Sequence, residues 1–341
     1  TQRPKQFLPL AGTEQSLIRI TADRVEPLVG KAGILVVTAE NQKGLVLEHI
    51  PHACILAEPL ARNTAPCIGF AAKYILQTVG DVPMLCLPAD HVVYGTPGIL
   101  AVYREALALA RTEDALVTIG IKPDRAETGY GYIQRGEAFA GSHQPAVPAY
   151  AVAQFVEKPD MQTAQRYLDS GEFFWNSGMF AWRPSVILRE IARLLPGIAA
   201  QLDILESSLS QHDSYSKAAA AYAAMEGVSI DTGVLEKAEK VIMLSGSSFS
   251  WSDVGSWSSW SDSVLAQNPN AEDNVVQGEV LLLDSSGCTV VGGKKLIAGV
   301  GLSDLIIIDT EDALLVCRRS QSQDVKKVVD KLKAAQRSDL L

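Results

Sequence analysis

Apolar and polar positions divide the first three quarters of the chain into alternating helical and extended stretches. Residues 15–29 carry Leu17, Ile20, Ala22, Val25 and Leu28 at close to helical spacing, which predicts an amphipathic helix. Ile34, Leu35, Val36 and Val37 form a β-branched run between Gly33 and the polar Glu40 and Asn41, the mark of a buried strand. A second helix is expected over residues 64–77, capped by Asn63 or Thr64, with Pro66 in its first turn. Residues 84–87 read as a strand ending at Pro88, residues 98–111 as a helix and residues 115–119 as the next buried strand. Apolar strands alternating with helices predict an α/β fold with a mainly parallel sheet covered on both faces. Ligands of such sheets bind beyond the carboxyl ends of the strands, which places Asp90 and His91 at the expected site.

The period changes after about Asp262. Short apolar runs at 280–283, 289–291, 296–298, 305–308 and 313–316 are separated by Gly, Ser and Asp at near-regular spacing. They predict a small β domain, and their regularity allows a short β-solenoid. A helix over residues 322–335, with Val325, Val328, Val329 and Leu332 on one side, closes the chain. The expected division is therefore residues 1–265 and 266–341.

Charge and cysteine content narrow the function. The formal net charge of −9 removes any overall attraction to nucleic acid or to an anionic membrane, so an anionic substrate needs a local cationic site. Cys54, Cys67, Cys86, Cys288 and Cys317 are odd in number and contain no CxxC pair. Buried, chemically quiet thiols in a reducing cytoplasm are expected, without a disulfide framework or zinc site. No apolar stretch is long enough to span a bilayer and no signal peptide is visible.

Seven blocks hold the candidate chemistry, most with an ordinary structural alternative. Lys5, in RPKQFLPL, is a cation that elsewhere would be a solvated surface charge. EPLARNTAP, residues 58–66, opens a predicted helix, whose N-terminus suits an anion or a polar base edge; simple capping is the alternative. LPADH sets Asp90 at a strand end, where Mg²⁺ takes one or two carboxylates together with substrate phosphates; the alternative is a turn cap. His91 reads as a structural hydrogen-bonding group. GYGYI brings the Gly129 backbone within reach of a ligand, or is a tight hairpin. In FVEKPD the Glu157–Lys158 pair can hold a sugar hydroxyl and a phosphate side by side, or form a surface ion pair. WNSGMF offers one amide, Asn176, between aromatic residues, to line a sugar pocket or to form a core turn, and WSDVGSW offers Asp253 as a second metal carboxylate.

Taken in order, these blocks, together with SIDTGVLEK, resemble those of the mannose-1-phosphate guanylyltransferases, within the nucleotide-diphospho-sugar transferases, over nearly the whole chain. RNTAP and WNSGMF carry the likeness to the guanylyl branch. The resemblance implies a Rossmann-like, mostly parallel sheet with a small C-terminal left-handed β-helix-like domain. It also implies an upstream strand and a glycine-rich, Arg-bearing loop ahead of RPK, whose backbone N–H groups cradle the GTP phosphates. Without that segment, residues 1–341 are expected to leave an open sheet edge, fold marginally and turn over little.

The reaction implied is transfer of a guanylyl group from GTP to mannose 1-phosphate, giving GDP-mannose and pyrophosphate. The resemblance assigns Asp90 and Asp253 to Mg²⁺, Lys5 to the GTP phosphates and Lys158 to the phosphate of the sugar phosphate. It places Glu157, Asn176 and the Gly129 backbone near the sugar, and Glu58, Asn63 and Thr64 near the guanine nucleotide. Two rivals remain: the same chemistry on another base or sugar 1-phosphate, and a non-catalytic regulatory relative of the same fold. A dinucleotide-dependent oxidoreductase would need a GxGxxG after a strand, and none is present. No motif fixes the assembly state, and a homodimer is left open.

Overall fold

A computed structural model describes residues 4–8, 15–209, 214–253, 260–261, 264–265, 273–293, 295–310 and 312–337. Arg3, Pro9 and Leu10 of the first block, and residues 254–257 of the last, lie outside the described residues. The chain forms two compact units. One comprises Ala22–Pro88 and Val93–Ser250; the other comprises Thr1–Thr21, Ala89–Val92 and Trp251–Leu341.

The chain opens with α1 (Leu17–Val29), β1 (Leu35–Ala39), α2 (Lys43–His49), β2 (Cys54–Glu58), α3 (Thr64–Thr78), β3 (Met84–Cys86) and β4 (Val92–Tyr94). It continues with α4 (Thr96–Thr112), β5 (Leu116–Ile121), β6 (Tyr132–Ala138), β7 (Ala149–Val156), α5 (Met161–Ser170) and β8 (Phe173–Trp182). Then come α6 (Pro184–Leu194), α7 (Pro196–Leu209), α8 (Ser214–Ala224), β9 (Val241–Ser245) and β10 (Ser250–Ser252).

The large unit is built on a six-stranded sheet, ordered β3-β8-β5-β9-β7-β6. The expected mainly parallel pairing is corrected here to a mixed sheet. Only β5 and β9 pair in parallel, because β8 and β7 are inserted in the reverse direction among β3, β5, β9 and β6. A separate parallel pair, β1 with β2, lies in the same unit. The α/β class stands, and β5 has the continuous burial of a strand covered on both faces.

Helix α3 packs closely because Gly69 lets it. A Cβ there would lie 2.5 Å from Leu202 Cδ1 of α7. Behind the sheet, Phe70, Phe180, Trp182, Ile187, Leu202 and Tyr222 belong to one buried cluster, with Phe180 and Trp182 stacked 5.3 Å apart on one face of β8. Each fully buried side chain of this size contributes roughly 1.5–3 kcal/mol.

The smaller unit contains β11 (Val275–Gln277), β12 (Val280–Leu283), β13 (Thr289–Val291), β14 (Ile297–Val300), β15 (Leu305–Asp309), β16 (Leu314–Arg318) and α9 (Val325–Ala334). Successive coils stack in parallel: Val275 pairs with Thr289 and Thr289 with Ile306, while Val280 pairs with Ile297. Asn274 ties two coils, its amide donating to the Ser285 carbonyl at 2.8 Å and its Oδ1 accepting from Cys288 N at 2.9 Å. Gly278 turns a corner at φ +93°, where a Cβ would meet the Gly292 carbonyl at 2.6 Å. Val275, Cys288, Val290, Ile306 and Ile308 are buried. β16 returns antiparallel to β15. This is the small solenoid that the regular spacing of the apolar runs allows.

Candidate functional site

In the large unit, strand register assembles one cluster. Tyr132, at the start of β6, pairs with Val156 of β7 and with Trp175 of β8. Gly131, one residue upstream, therefore falls beside the residues that follow those partners, Glu157 and Asn176. Asn176 N–H donates to the Gly131 carbonyl at 2.8 Å. A Cβ on Gly131 would lie 2.5 Å from Glu157 Oε2, 3.4 Å from Asn176 Cβ and 3.7 Å from Asn176 Nδ2. Glycine leaves the room that the carboxylate uses.

Asn176 lies at a bulge. The β5–β8 register shifts between Thr118 and Gly120, Gly178 has φ +69°, and Ser177 Oγ donates to the Ile119 carbonyl at 2.7 Å. Bulges re-aim side chains next to active sites. Here Asn176 Oδ1 accepts from Gly178 N at 3.1 Å, and Nδ2 donates to Asp231 Oδ1 at 2.7 Å. Asp231 opens a single π-helical turn, Asp231–Leu235, a form frequent at functional sites. Burial pushes the Asp231 carboxyl above its ordinary range; the Asn176 amide opposes the shift and the Glu157 carboxylate adds to it.

Lys158 follows with φ +48°, a left-handed backbone that costs a non-glycine residue about 1–2 kcal/mol. Its ammonium contacts Glu157 Oε1 at 2.5 Å while its side chain is 61% exposed. An exposed pair contributes less than about 1 kcal/mol, so pairing alone does not offset the backbone strain. Strain of this kind gathers at ligand sites. Asp160 caps α5 by accepting from Thr163 N at 2.7 Å, which anchors the chain just beyond the pair. Gly129 N–H donates to Glu127 Oε1 at 3.0 Å within its own turn. The Arg125 guanidinium lies 5.1 Å over the Trp175 ring.

The EPLARNTAP block holds the start of α3 against residues 228–230. Asn63, at φ +67°, accepts from Thr64 N at 2.8 Å; Thr64 Oγ1 accepts from Ile230 N at 2.8 Å; Ala65 N donates to the Val228 carbonyl at 3.1 Å. Pro66 has no N–H. The first three positions of the helix are thus committed, and capping rather than an open anion site describes this terminus. Arg62 caps α8, with Nε donating to the Tyr222 carbonyl at 3.0 Å and Nη2 to the Ala223 carbonyl at 2.8 Å. Glu58, at the end of β2, accepts from the Tyr222 hydroxyl at 3.3 Å. Burial pushes its carboxyl up to about 7 despite that bond.

Burial also raises the Cys67 thiol, with Glu58 and Cys86 adding to the effect, and raises Cys86 to about 12. All five cysteines are free. The expectation that they are buried holds only for Cys288; Cys54 is exposed and the other three are half-buried.

The smaller unit holds the second cluster. Lys5 Nζ donates to Asp90 Oδ2 at 3.0 Å and to the Asp253 carbonyl at 2.5 Å. The Lys5 and Asp90 side chains are 33% and 40% exposed. His91 Nδ1 accepts from the Trp251 indole at 3.2 Å, with the rings edge to face. An indole N–H only donates, so the His91 hydrogen sits on Nε2, the atom 3.8 Å from Asp90 Oδ1. This agrees with the hydrogen-bonding role expected of His91. A carboxylate and a carbonyl around one ammonium form a hard-oxygen set that suits Mg²⁺. Among the described residues no group of three or more His, Cys, Asp or Glu could hold a metal, so an ion here would need substrate phosphates and water to complete its shell.

Register thus brings Glu157, Lys158 and Asn176 together, and Lys5 brings Asp90 and Asp253 together. Gly131 and Asp231 are the members that motif reading passes over. Both stand inside blocks quoted above, GYGYI and SIDTGVLEK, but only the strand register and the π turn show their place.

Comparison with known proteins gives a consistent outcome. A family model described as nucleotidyl transferase matches residues 1–268, and one described as a MannoseP isomerase/GMP-like beta-helix domain matches residues 278–332. The chain is 40% identical over 341 residues to the xanthan biosynthesis protein XanB of Xanthomonas campestris pv. campestris (strain B100), covering 98% of this chain and 70% of that protein. It is 38% identical over 350 residues to a mannose-1-phosphate guanylyltransferase of Escherichia coli, with the same coverage. A crystal structure from Thermus thermophilus, named mannose-1-phosphate geranyltransferase, superposes with a TM-score of 0.84 at 34% identity, covering 97% of this chain and 93% of that one.

Proposed function

The chain belongs to the nucleotidyl transferase family, and we propose from that premise that it transfers a guanylyl group from GTP to α-D-mannose 1-phosphate. The observation that carries the reading is the convergence of Glu157 and Asn176 on Gly131, with Lys158 paired to Glu157, in a chain with relatives named mannose-1-phosphate guanylyltransferase that match nearly its full length. A phosphate oxygen of the sugar phosphate attacks the α-phosphorus of GTP in line. The new P–O bond forms as the bond to the β-phosphate breaks, and pyrophosphate leaves with the electron pair. No protein nucleophile is needed, so the residues act by positioning and charge.

Lys158 would grip the phosphate of the sugar phosphate, with Glu157 and Asn176 on sugar hydroxyls and the Gly129 turn alongside. Glu58, Asn63 and Thr64 would bound the guanine nucleotide. With the α3 terminus committed to capping, the Asn63 amide nitrogen and the Glu58 carboxyl are the groups to do it. Lys5 would exchange Asp90 for the GTP phosphates. Asp90 and Asp253 would hold Mg²⁺, which when bound neutralises phosphate charge. We place the division between catalytic and β parts at 265/266, the reaction in the cytoplasm, and leave a homodimer to measurement. No helix among the described residues is long and apolar enough to cross a membrane.

The test is pyrophosphate release by the full-length protein with a panel of nucleoside triphosphates and a panel of hexose 1-phosphates. GTP with mannose 1-phosphate should give the highest kcat/KM. A higher value for another pair assigns the protein to that reaction, and no release with any pair supports a non-catalytic relative.

A further inference from the structure

The Asn176 amide is held at both ends. Gly178 N–H fixes Oδ1 at 3.1 Å, and Asp231 Oδ1 takes one hydrogen of Nδ2 at 2.7 Å. Flipping the amide would set its oxygen against a carboxylate and its nitrogen against an N–H, so the orientation is decided. The nitrogen keeps a second hydrogen. Nδ2 and Glu157 Oε2 both lie within 4 Å of one point, the place a Gly131 Cβ would take, at 3.7 and 2.5 Å. A donor and an acceptor therefore flank the bare Cα of Gly131 together.

We propose that Asp231 is a positioning residue: by fixing the Asn176 amide it sets a donor beside the Glu157 acceptor, a pattern that reads two neighbouring hydroxyls of the sugar. The proposal rests on the reading above that this cluster receives a sugar phosphate. One hydroxyl accepts from Asn176 while its neighbour donates to Glu157. A sugar lacking either hydroxyl leaves a half-buried polar group unpaired, which sites of this kind reject strongly.

The polarity of the pair supplies the test. In the double variant N176D/D231N the two side chains trade places. The amide now at position 231 can donate to the carboxylate now at position 176, and that carboxylate still accepts from Gly178 N–H. Every internal hydrogen bond returns, but position 176 no longer offers a donor to the sugar. Steady-state kinetics and melting temperatures would be measured on the full-length protein and on D231A, D231N and the double variant. Asp231→Ala should raise the KM for mannose 1-phosphate about tenfold while the KM for GTP stays within about twofold. Asp231→Asn keeps an acceptor for Nδ2 and should stay within about threefold of the parent. The double variant should melt near the parent and remain impaired toward the sugar phosphate.

Recovery of the sugar phosphate KM in the double variant would show the pair to be structural only and overturn the proposal, as would equal effects of D231A on both substrates. If D231A does not fold, the two isosteric variants decide. Absence of guanylyl transfer in the parent would fail the assigned reaction separately. The same variants would then be compared by calorimetric binding of mannose 1-phosphate, where the same ranking supports the proposal and no binding by the parent overturns it.

Discussion

Replacing Gly131 with Ala tests the sugar cluster most directly. The new methyl would stand 2.5 Å from Glu157 Oε2, where a comfortable C···O contact is about 3.3 Å. The carboxylate must retreat by roughly 0.8 Å by that measure, and the Lys158 ammonium 2.5 Å from its other oxygen must follow. Glu157 Oε2 is the end of a flexible side chain, so the fold can yield at a cost of about 0.5–1.5 kcal/mol in rotamer strain. Gly131 is not among the positive-φ glycines, so Ala is compatible with its backbone. The loss of freedom in the unfolded chain then returns about 0.4–1 kcal/mol. Net stability should change by less than about 1 kcal/mol, a shift of only a few degrees in Tm for a chain of this size. Activity should not be spared, because an error of about 1 Å in positioning can cost about 100-fold. The expected outcome is a fall of roughly that size in kcat/KM for mannose 1-phosphate, with the KM for GTP unchanged. A variant of full activity would show that Glu157 does not touch the sugar. A collapse in Tm would show that the glycine serves the fold.

Substitutions at three further positions separate the other roles. Lys158→Ala should raise the KM for the sugar phosphate more than that for GTP, and Lys158→Arg should not fully restore it, since a planar fork differs from a point charge; equal effects on both substrates would refute the placement. Asp90→Asn should abolish nucleotide-dependent Mn²⁺ binding, followed by electron paramagnetic resonance. It should change stability by less than about 1 kcal/mol, because the Lys5–Asp90 pair is half-exposed; unchanged Mn²⁺ binding would remove Asp90 from the metal site. Glu58 is raised from an ordinary 4.5 to about 7, so between these values the folded protein holds a proton that the unfolded chain has lost, and stability falls as pH rises through that window. Glu58→Gln should therefore gain stability over the parent between about pH 5 and pH 8, by about 1–2 kcal/mol after allowance for partial exposure. A difference in Tm that does not vary with pH would refute the shift.

Local pattern was enough for α1, α3, α4 and the runs of the small solenoid, whose observed limits differ from the expected ones by a few residues at most. There the period of burial is set by neighbours in sequence. It was not enough for the direction of β7 and β8, which depends on how residues 122–182 fold back on the sheet. The same limit governs the site. Lys5, Asp90, Glu157, Lys158 and Asn176 have side chains whose chemistry announces them. Gly131 has none, and its importance lies in a gap bounded by two distant strands. Asp231 reads as one more acidic residue until the amide it holds is seen. The left-handed backbone of Lys158 has no sequence signal, since Lys is a poor guess for that conformation.

The reversal at β16 has a bearing on growth. A stack of parallel coils offers the same edge at its last turn as at every earlier one, so nothing in its geometry tells it to stop; another chain presenting a matching strand could extend it. β16 answers that open edge with a strand of the opposite sense, five residues long and pairing with β15 from Leu305–Arg318 to Asp309–Leu314. A further coil arriving in the parallel sense would find the wrong hydrogen-bond phase along this side. On this face the parallel stacking is thus ended by a change of direction between Asp309 and Leu314.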